Sequence, residues 1–180
     1  MTTGARKLKE RWERARERWW VRWGVDLLLF ALLFAGVTAW QTRKLPGAGT
    51  PAPDFTLRTL SGETVRLEDL RGKSVALTFW APWCTVCKAE SSTLSTLRDT
   101  VGERAHVLTV AVAYDTVADV QRFVRERGAD YPVLLGDDAL QEAYRVDSFP
   151  TTIFLSPEGR VTHAAVGYTT RLGFLWRLWL

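Results

Sequence analysis

An apolar run that leads directly into two cysteines restricts the fold of this chain more than any other part of its sequence. Residues 73–81, KSVALTFWA, are almost wholly apolar, which predicts a strand buried on both faces of a sheet. Cys84 and Cys87 follow at once and are the only cysteines of the chain. Residues 87–100 then have a helical composition, so both cysteines lie where a buried strand gives way to a helix.

The rest of the chain from residue 54 onward alternates predicted strands and helices. Strands alternating with helices and ending in a hairpin indicate an α/β fold, with a mixed central sheet covered by helices on both faces. The predicted elements are a hairpin at 54–67, a buried strand at 105–115, a helix closed by Gly128, a short strand at 131–138, a short helix at 138–146, two strands within 151–168 and a final helix capped by Thr169 or Thr170.

Charge is distributed very unevenly along the chain. Residues 1–49 contain ten Lys/Arg and four Asp/Glu, a net charge of +6, whereas residues 50–180 contain fourteen Lys/Arg and sixteen Asp/Glu, a net charge of −2. The overall charge of +4 therefore belongs to the N-terminal segment. Because the main domain has no basic bias, the sequence gives no support for nucleic-acid binding.

Residues 24–40, GVDLLLFALLFAGVTAW, are predicted to form a transmembrane signal-anchor helix that contacts membrane lipid. As a helix they span about 25 Å, and tryptophans flank both ends, as at membrane interfaces. Eight Lys/Arg precede this span, so the positive-inside rule places residues 1–23 in the cytoplasm. The prediction is a single-pass protein of a bacterial inner membrane, with its catalytic domain in the periplasm. A cleaved signal peptide, with VTA before Trp40 as the cleavage site, is the alternative.

The remaining boundaries follow from composition. Residues 1–23 are a basic segment in which Leu8, Trp12, Ala15, Trp19 and Trp23 share one helical face, so the segment is either an interfacial amphipathic helix or a solvated tail. Residues 41–53 are rich in Gly and Pro and are predicted to be a linker. Residues 54–180 form the exported domain.

The spacing of the two cysteines favours redox chemistry over the alternatives. Zinc needs four ligands, and neither a second Cys-x-x-Cys nor a nearby histidine supplies them, because His106 and His163 fall in separate predicted strands. Two thiolates could still hold Cu(I). A structural disulfide usually clamps distant segments, whereas this loop is very short. At a helix N-terminus the first sulfur is favoured as a thiolate, and the second can attack a mixed disulfide formed by the first.

Two stretches resemble one family of proteins. VALTFWAPWCTVCKAE, residues 75–90, resembles the active-site stretch of the thioredoxin superfamily, and YRVDSFPTTIFLSPEGRV, residues 144–161, resembles the region around its cis-proline. Within that superfamily, residues 51–180 are similar to the membrane-anchored TlpA/ResA-like thiol–disulfide oxidoreductases, which include ScsD-like members. The resemblance implies a thioredoxin-like fold with an N-terminal β-hairpin extension.

The resemblance also implies site residues. Cys84 corresponds to the exposed nucleophile and Cys87 to the buried resolving thiol. Trp83 corresponds to the ring that flanks the dithiol, with simple packing as its alternative. Pro150 corresponds to the cis-proline, and Phe149 before it would help to bind the substrate strand; an ordinary trans turn is the alternative at Pro150.

Glu90 lies three residues after Cys87, on the same face of the predicted helix. TlpA/ResA-like proteins carry a glutamate at this offset, and the resemblance implies a role in thiol ionisation and proton transfer. Many thioredoxins have a buried aspartate in the preceding strand, where this chain has Thr78. Glu90 is therefore the candidate proton acceptor, and a solvated helix carboxylate is the alternative.

The predicted function is the reduction of protein disulfides, with no cofactor beyond the redox-active disulfide and with a transmembrane electron donor of the DsbD/CcdA kind. Two departures from the family pattern bear on this prediction. Thr85 and Val86 replace the usual residues between the cysteines, so no redox potential carries over, and VDSFPTT lacks the Pro-Glu-Thr of cytochrome c maturation thioredoxins. A DsbA-type oxidant, a cytochrome c maturation thioredoxin and a non-enzymatic Cu(I)-binding protein remain alternatives. In a peroxiredoxin the peroxidatic cysteine normally follows the pattern Pro-x-x-x-Thr-x-x-Cys. Position 81, three residues before Cys84, is alanine and not threonine, so a peroxiredoxin is set aside.

Overall fold

A computed structural model describes residues 3–179, with side chains described from Trp20 onward apart from residues 21, 22 and 39. The chain divides into two compact units, one ending at Gln41 and the other beginning at Thr42. The first is almost entirely one helix, α1, which spans Thr3–Thr42. Its part from Trp23 to Thr42 is long and apolar enough to cross a membrane and includes the predicted span 24–40. Most of the predicted amphipathic face (Leu8, Trp12, Ala15 and Trp19) lies outside the described side chains.

The second unit is built on one mixed sheet of seven strands, which confirms the predicted fold class. The strands are β1 (Thr56–Thr59), β2 (Thr64–Arg66), β3 (Ser74–Trp80), β4 (Ala105–Ala111), β5 (Val133–Leu135), β6 (Thr151–Leu155) and β7 (Val161–Val166). Their order across the sheet is β2-β1-β5-β4-β3-β6-β7. β3, β4 and β5 run parallel, while β6 and β7 on one side and β1 and β2 on the other are antiparallel to their neighbours.

Four helices belong to this unit: α2 (Thr85–Val101), α3 (Val117–Arg127), α4 (Asp138–Ala143) and α5 (Arg171–Trp179). Short 3-10 turns occur at Leu67–Leu70 and Gly102–Arg104. α3 ends at Gly128 as predicted, because that residue adopts a left-handed conformation with φ of 58° that an L side chain disfavours. Of the two predicted caps of α5, Thr170 is the one whose hydroxyl accepts a hydrogen bond within the first turn, from the Gly173 N–H at 3.2 Å.

The alternating side chains of β3 divide the core between the two faces of the sheet. Ala76 and Trp80 point to the face covered by α2, α3 and α5, whereas Val75, Leu77 and Phe79 point to the face covered by α4 and the first 3-10 turn. All of these side chains are buried, as the apolar run predicts for a central strand. The last residue of β3 therefore lies in the core, and the cysteines that follow are buried with the side chains on the face covered by α2, α3 and α5.

The predicted linker 41–53 is not a free tether over its whole length. Leu45 is buried against the second face of the core. The Gly49 N–H donates to the Val161 carbonyl at 2.7 Å, and the Val161 N–H donates to the Thr50 carbonyl at 2.9 Å. The Tyr144 hydroxyl donates to the Pro53 carbonyl at 2.7 Å. The segment rich in Gly and Pro is therefore packed against the domain. It forms backbone hydrogen bonds with β7, which is the edge strand of the sheet.

Candidate active site

Cys84 and Cys87 form a disulfide at the start of α2. Cys84 is the N-cap residue, and its Sγ accepts a hydrogen bond from the Cys87 N–H at 3.1 Å. The Cα atoms of the two residues are 5.3 Å apart. A sulfur in this position meets unpaired N–H groups and the positive end of the helix dipole, both of which favour a thiolate once the disulfide is reduced.

The structure corrects one expectation about exposure. Cys84 was expected to be exposed and Cys87 buried, but their exposed fractions in the disulfide are 6% and 4%. The reason is geometric, because the Cys84 sulfur turns inward to bond with Cys87 and accept its N–H. Burial in the oxidised form therefore does not distinguish the two cysteines, and their assignment as nucleophile and resolving thiol remains a prediction.

Trp83 lies beside the disulfide with 64% of its surface exposed. Its indole N–H donates to the Ala113 carbonyl at 2.9 Å, just beyond the end of β4, where Ala113 has a φ of 49°. Its ring contacts that of Phe149 in a T-shaped arrangement, with centroids 5.8 Å apart. A groove of about 350 Å³ borders Trp83 on the side of α3 and also contains Lys88 and Tyr114. Trp83 is thus held by an anchored N–H while its ring stays open to solvent.

Pro150 lies at the start of β6, and the Phe149–Pro150 peptide bond is cis, as the resemblance implies. β6 is antiparallel to β3, with Thr151 opposite Phe79. The start of β6 and the end of β3 therefore meet at one edge of the sheet, the edge from which the chain continues to the cysteines. The Pro150 carbonyl accepts a hydrogen bond from the Gly167 N–H at 2.7 Å.

Glu90 is buried, with 1% of its surface exposed, so the alternative of a solvated carboxylate is wrong. Its Oε1 accepts a hydrogen bond from the Thr169 N–H at 2.6 Å. Its Oε2 has no hydrogen-bond partner among the described residues. Burial raises the pKa of Glu90 from 4.5 to about 7, with the Thr169 hydrogen bond opposing the shift. A carboxyl group on α2 that titrates near neutrality can both accept and return a proton.

Several buried contacts of α2 and β3 were not predicted from the sequence. Ser91 and Tyr131 share a buried hydrogen bond of 2.8 Å between their hydroxyl groups, and burial raises the pKa of Tyr131 to about 12. The Thr78 and Thr152 hydroxyl groups share a hydrogen bond of 2.9 Å inside the core. Thr169 was predicted only as a helix cap. Their partners are 40 to 79 residues away in the sequence, so no local pattern identifies them.

The surroundings of the disulfide bear on the metal-binding alternatives. Within the described part of the chain, no group of three or more His, Cys, Asp or Glu side chains is placed to hold a metal ion. His106 lies in β4 and His163 in β7, on separate strands as predicted. Cu(I) binding, which needs only two thiolates, stays a prediction.

Comparison with known proteins supports the redox interpretation. Residues 48–164 match the model of the AhpC/TSA family. The thioredoxin-like protein YneN of Bacillus subtilis is 33% identical over 159 residues, which cover 83% of this chain and 92% of YneN. The thiol–disulfide oxidoreductase ResA of the same organism is 31% identical over 163 residues, which cover 87% of this chain and 89% of ResA. A crystal structure described as that of a "putative thiol:disulfide interchange protein DsbE" from Chlorobium tepidum superimposes with a TM-score of 0.67 at 25% identity, over 74% of this chain and 99% of that one.

Proposed function

The chain belongs to the AhpC/TSA family, among its ResA-like thiol–disulfide oxidoreductases, and from this premise we propose that it reduces protein disulfides while tethered to a membrane. The observation that carries the proposal is the Cys84–Cys87 disulfide at the start of α2, one turn before the buried carboxyl group of Glu90. Such a pair can accept and release two electrons without any other group.

In the proposed reaction the dithiol form is the reactant. The Cys84 thiolate attacks one sulfur of a substrate disulfide, so that a mixed disulfide forms and the other substrate sulfur leaves as a thiolate. The Cys87 thiolate then attacks the Cys84 sulfur and releases the second substrate sulfur. The substrate gains two electrons and takes up two protons, and the enzyme is left with the Cys84–Cys87 disulfide seen in the structure.

We assign Glu90 the role of accepting the proton that Cys87 must lose before it attacks. Support comes from its place on α2, three residues after Cys87, and from a pKa of about 7, which leaves both protonation states populated at neutral pH. The unpartnered Oε2 is the atom free to take the proton, because Oε1 is held by the Thr169 N–H.

We assign substrate binding to Trp83, Phe149 and Pro150. The ring contact between Trp83 and Phe149 joins the segment before α2, which contains Cys84, to the segment before β6, and Pro150 lies buried directly behind Phe149 in the chain. An extended substrate strand could add its backbone at the start of β6 and rest on the Trp83 ring. The exposure of Trp83 supports this role, since a large exposed aromatic side chain commonly contributes to recognition.

Substituting Trp83 with alanine is expected to lower kcat/KM for a protein disulfide by about tenfold, the loss typical of an aromatic contact at an interface. The midpoint of thermal unfolding should change little because the ring is mostly exposed. Insulin reduction measures the first quantity. Val117→Ala, an exposed change on α3, serves as the control and should leave the rate unchanged. Equal rates for Trp83→Ala and the control would remove Trp83 from the binding surface.

Membrane tethering and topology are also part of the proposal. The helix from Trp23 to Thr42 is of suitable length and composition, and the excess of Lys/Arg before it favours a cytoplasmic N-terminus in a bacterial inner membrane. The domain would then lie in the periplasm, where a transmembrane donor of the DsbD/CcdA kind could return it to the dithiol form. The tether keeps the local concentration of the two partners high.

The reductive direction predicts a low reduction potential. Equilibration with glutathione should give a value nearer to the roughly −270 mV of thioredoxin than to the roughly −120 mV of DsbA. The reason is that a protein donates electrons to substrate disulfides only if its own reduction potential is lower than that of the substrates. A value near −120 mV would instead make the protein a DsbA-type oxidant, with the same residues working in reverse.

A further inference from the structure

The C-terminal helix α5 exposes an apolar stripe that the redox chemistry does not use. Leu172, Trp176 and Trp179 follow one another at intervals of four and three residues, which places them on one side of the helix, and Tyr168 lies in the segment just before it. The exposed fractions are 74%, 55% and 48% for the three helix residues in that order and 50% for Tyr168. The opposite side, with Phe174 and Leu178, is buried in the core of the domain.

A helix that is apolar on both sides normally has both sides covered. Phe174 and Leu178 account for the covered side of α5, where Phe174 packs against Phe154 with ring centroids 5.8 Å apart. The stripe formed by Tyr168, Leu172, Trp176 and Trp179 is the side left to solvent. Its composition is that of a surface in contact with an apolar medium rather than with water.

The charges around the stripe are cationic. The Arg177 guanidinium lies 5.4 Å from the centroid of the Trp176 ring, and the Arg104 guanidinium lies 5.3 Å from that of Trp179. Arg171 opens the helix and is exposed. Residues 159–179 contain no Asp or Glu, and the acidic residues nearest to the end of α2 in the sequence are Asp99 and Glu103. Aromatic rings with guanidinium groups packed against them complement a lipid bilayer, in which a layer of anionic phosphates lies above hydrocarbon.

We propose that this stripe docks onto the surface of an anionic lipid bilayer. The inference rests in part on the proposed membrane tether, which would keep a bilayer within reach of the domain. In the docked state the Leu172 side chain and the two indole rings enter the boundary between headgroups and acyl chains, and the arginines pair with phosphate groups. A lipid surface is favoured over a second copy of the chain because a second copy would bring the same arginines together at the contact.

Docking of this kind would limit the orientations of the active site. α5 packs against α2, and the turn before α5 supplies the Thr169 N–H that binds Glu90. The Tyr168 hydroxyl also lies 3.1 Å from the Thr93 hydroxyl of α2. The helix that carries the cysteines is therefore attached directly to the docked element, so docking would restrict the orientation of the disulfide relative to the membrane.

The test uses the full-length protein in nanodiscs of equal parts phosphatidylglycerol and phosphatidylcholine. In a Leu172→Cys variant the native cysteines are protected as a disulfide, so an environment-sensitive fluorophore attaches only at position 172. A phospholipid spin-labelled near the top of its acyl chain serves as the quencher. Val117→Cys, on exposed α3, is the matched control. We expect quenching and a blue-shifted emission at position 172 and neither change at position 117.

Removing charge gives the second readout. Arg171→Ala and Arg177→Ala should each lower the docked-to-free ratio by about fivefold in anionic nanodiscs and have little effect in pure phosphatidylcholine. Circular dichroism and insulin reduction in detergent check that these variants remain folded, and we expect both to match the parent protein.

The outcomes separate docking from tethering. Unquenched emission at position 172, in protein that remains in the nanodisc, overturns docking and leaves the tether intact, whereas protein that fails to enter the nanodisc contradicts the tether itself. A blue shift without quenching that grows with the number of chains per disc overturns the proposal in favour of a second copy.

Discussion

Replacing Cys84 with serine is expected to reduce the rate of insulin reduction to the rate measured without protein. A serine hydroxyl at the start of α2 is not ionised near neutral pH and cannot displace a substrate thiolate, so no mixed disulfide forms. The fold should be retained, because the oxygen can accept the Cys87 N–H in place of sulfur, as serine commonly does at an N-cap. The loss therefore measures chemistry and not stability.

Cys87→Ala is the matched variant, and the opposite behaviour is expected. Its Cys84 can still attack, but no second thiol is available to resolve the product, so a mixed disulfide with the substrate accumulates. Non-reducing electrophoresis and mass spectrometry identify the captured partner and the cysteine that holds it. Capture through Cys87 in the Cys84→Ser variant, with none in Cys87→Ala, would reverse the two assigned roles.

Replacing Glu90 with glutamine is expected to stabilise the oxidised protein above pH 7 while slowing catalysis. The folded-state pKa is about 7 against 4.5 in the unfolded chain, so folding favours the protonated acid. The associated stability is fully present below pH 4.5 and is lost as the pH rises through about 7, a total of about 3 kcal/mol. Glutamine resembles the protonated acid at every pH, and its carbonyl can still accept the Thr169 N–H.

Urea unfolding of the oxidised protein across this pH range tests the prediction. The free energy of unfolding of Glu90→Gln should exceed that of the parent by up to about 3 kcal/mol above pH 7 and match it near pH 4.5. Glu142→Gln, an exposed change on α4, is the control and should remain within about 0.5 kcal/mol. A constant difference across the whole range would mean that the substitution changes packing and not ionisation.

The catalytic cost of the same substitution separates a proton acceptor from a structural residue. Loss of a general base slows proton transfer by on the order of 10²-fold or more. Substrate reduction by Glu90→Gln should therefore slow at the step in which Cys87 loses its proton and attacks the mixed disulfide. The mixed disulfide should then accumulate transiently. A purely structural Glu90 would leave that step unchanged while still altering stability.

The elements of the fold were largely predictable because each depends on local chemistry. The apolar run before the cysteines predicts β3, and the periodicity of residues 116–128 together with Gly128 predicts α3 and its end. The position of Cys84 at a helix start also follows from local sequence. The cis bond before Pro150 was implied by resemblance and was not derivable from the residues alone.

What the sequence could not predict depends on contacts between distant segments. Glu90 could have been solvated on its own helix; it is buried because α5 and the turn before it cover that part of α2 and supply the Thr169 N–H. The segment around Gly49 has the composition of a linker, and it packs because the start of β7 offers backbone groups to bind. The inward position of Cys84 similarly depends on the bond to Cys87, a redox state that no sequence specifies.

The pH dependence of alkylation in the reduced protein tests the central claim most directly, since the whole mechanism requires one activated sulfur. Iodoacetamide labelling followed by mass spectrometry resolves the two cysteines. We predict that Cys84 reacts first, with a midpoint well below the roughly 8.5 of an ordinary cysteine thiol, and that Cys87 reacts slowly until higher pH. Equal reactivity of the two cysteines, with Cys84 ionising at or above 8.5, would contradict the account.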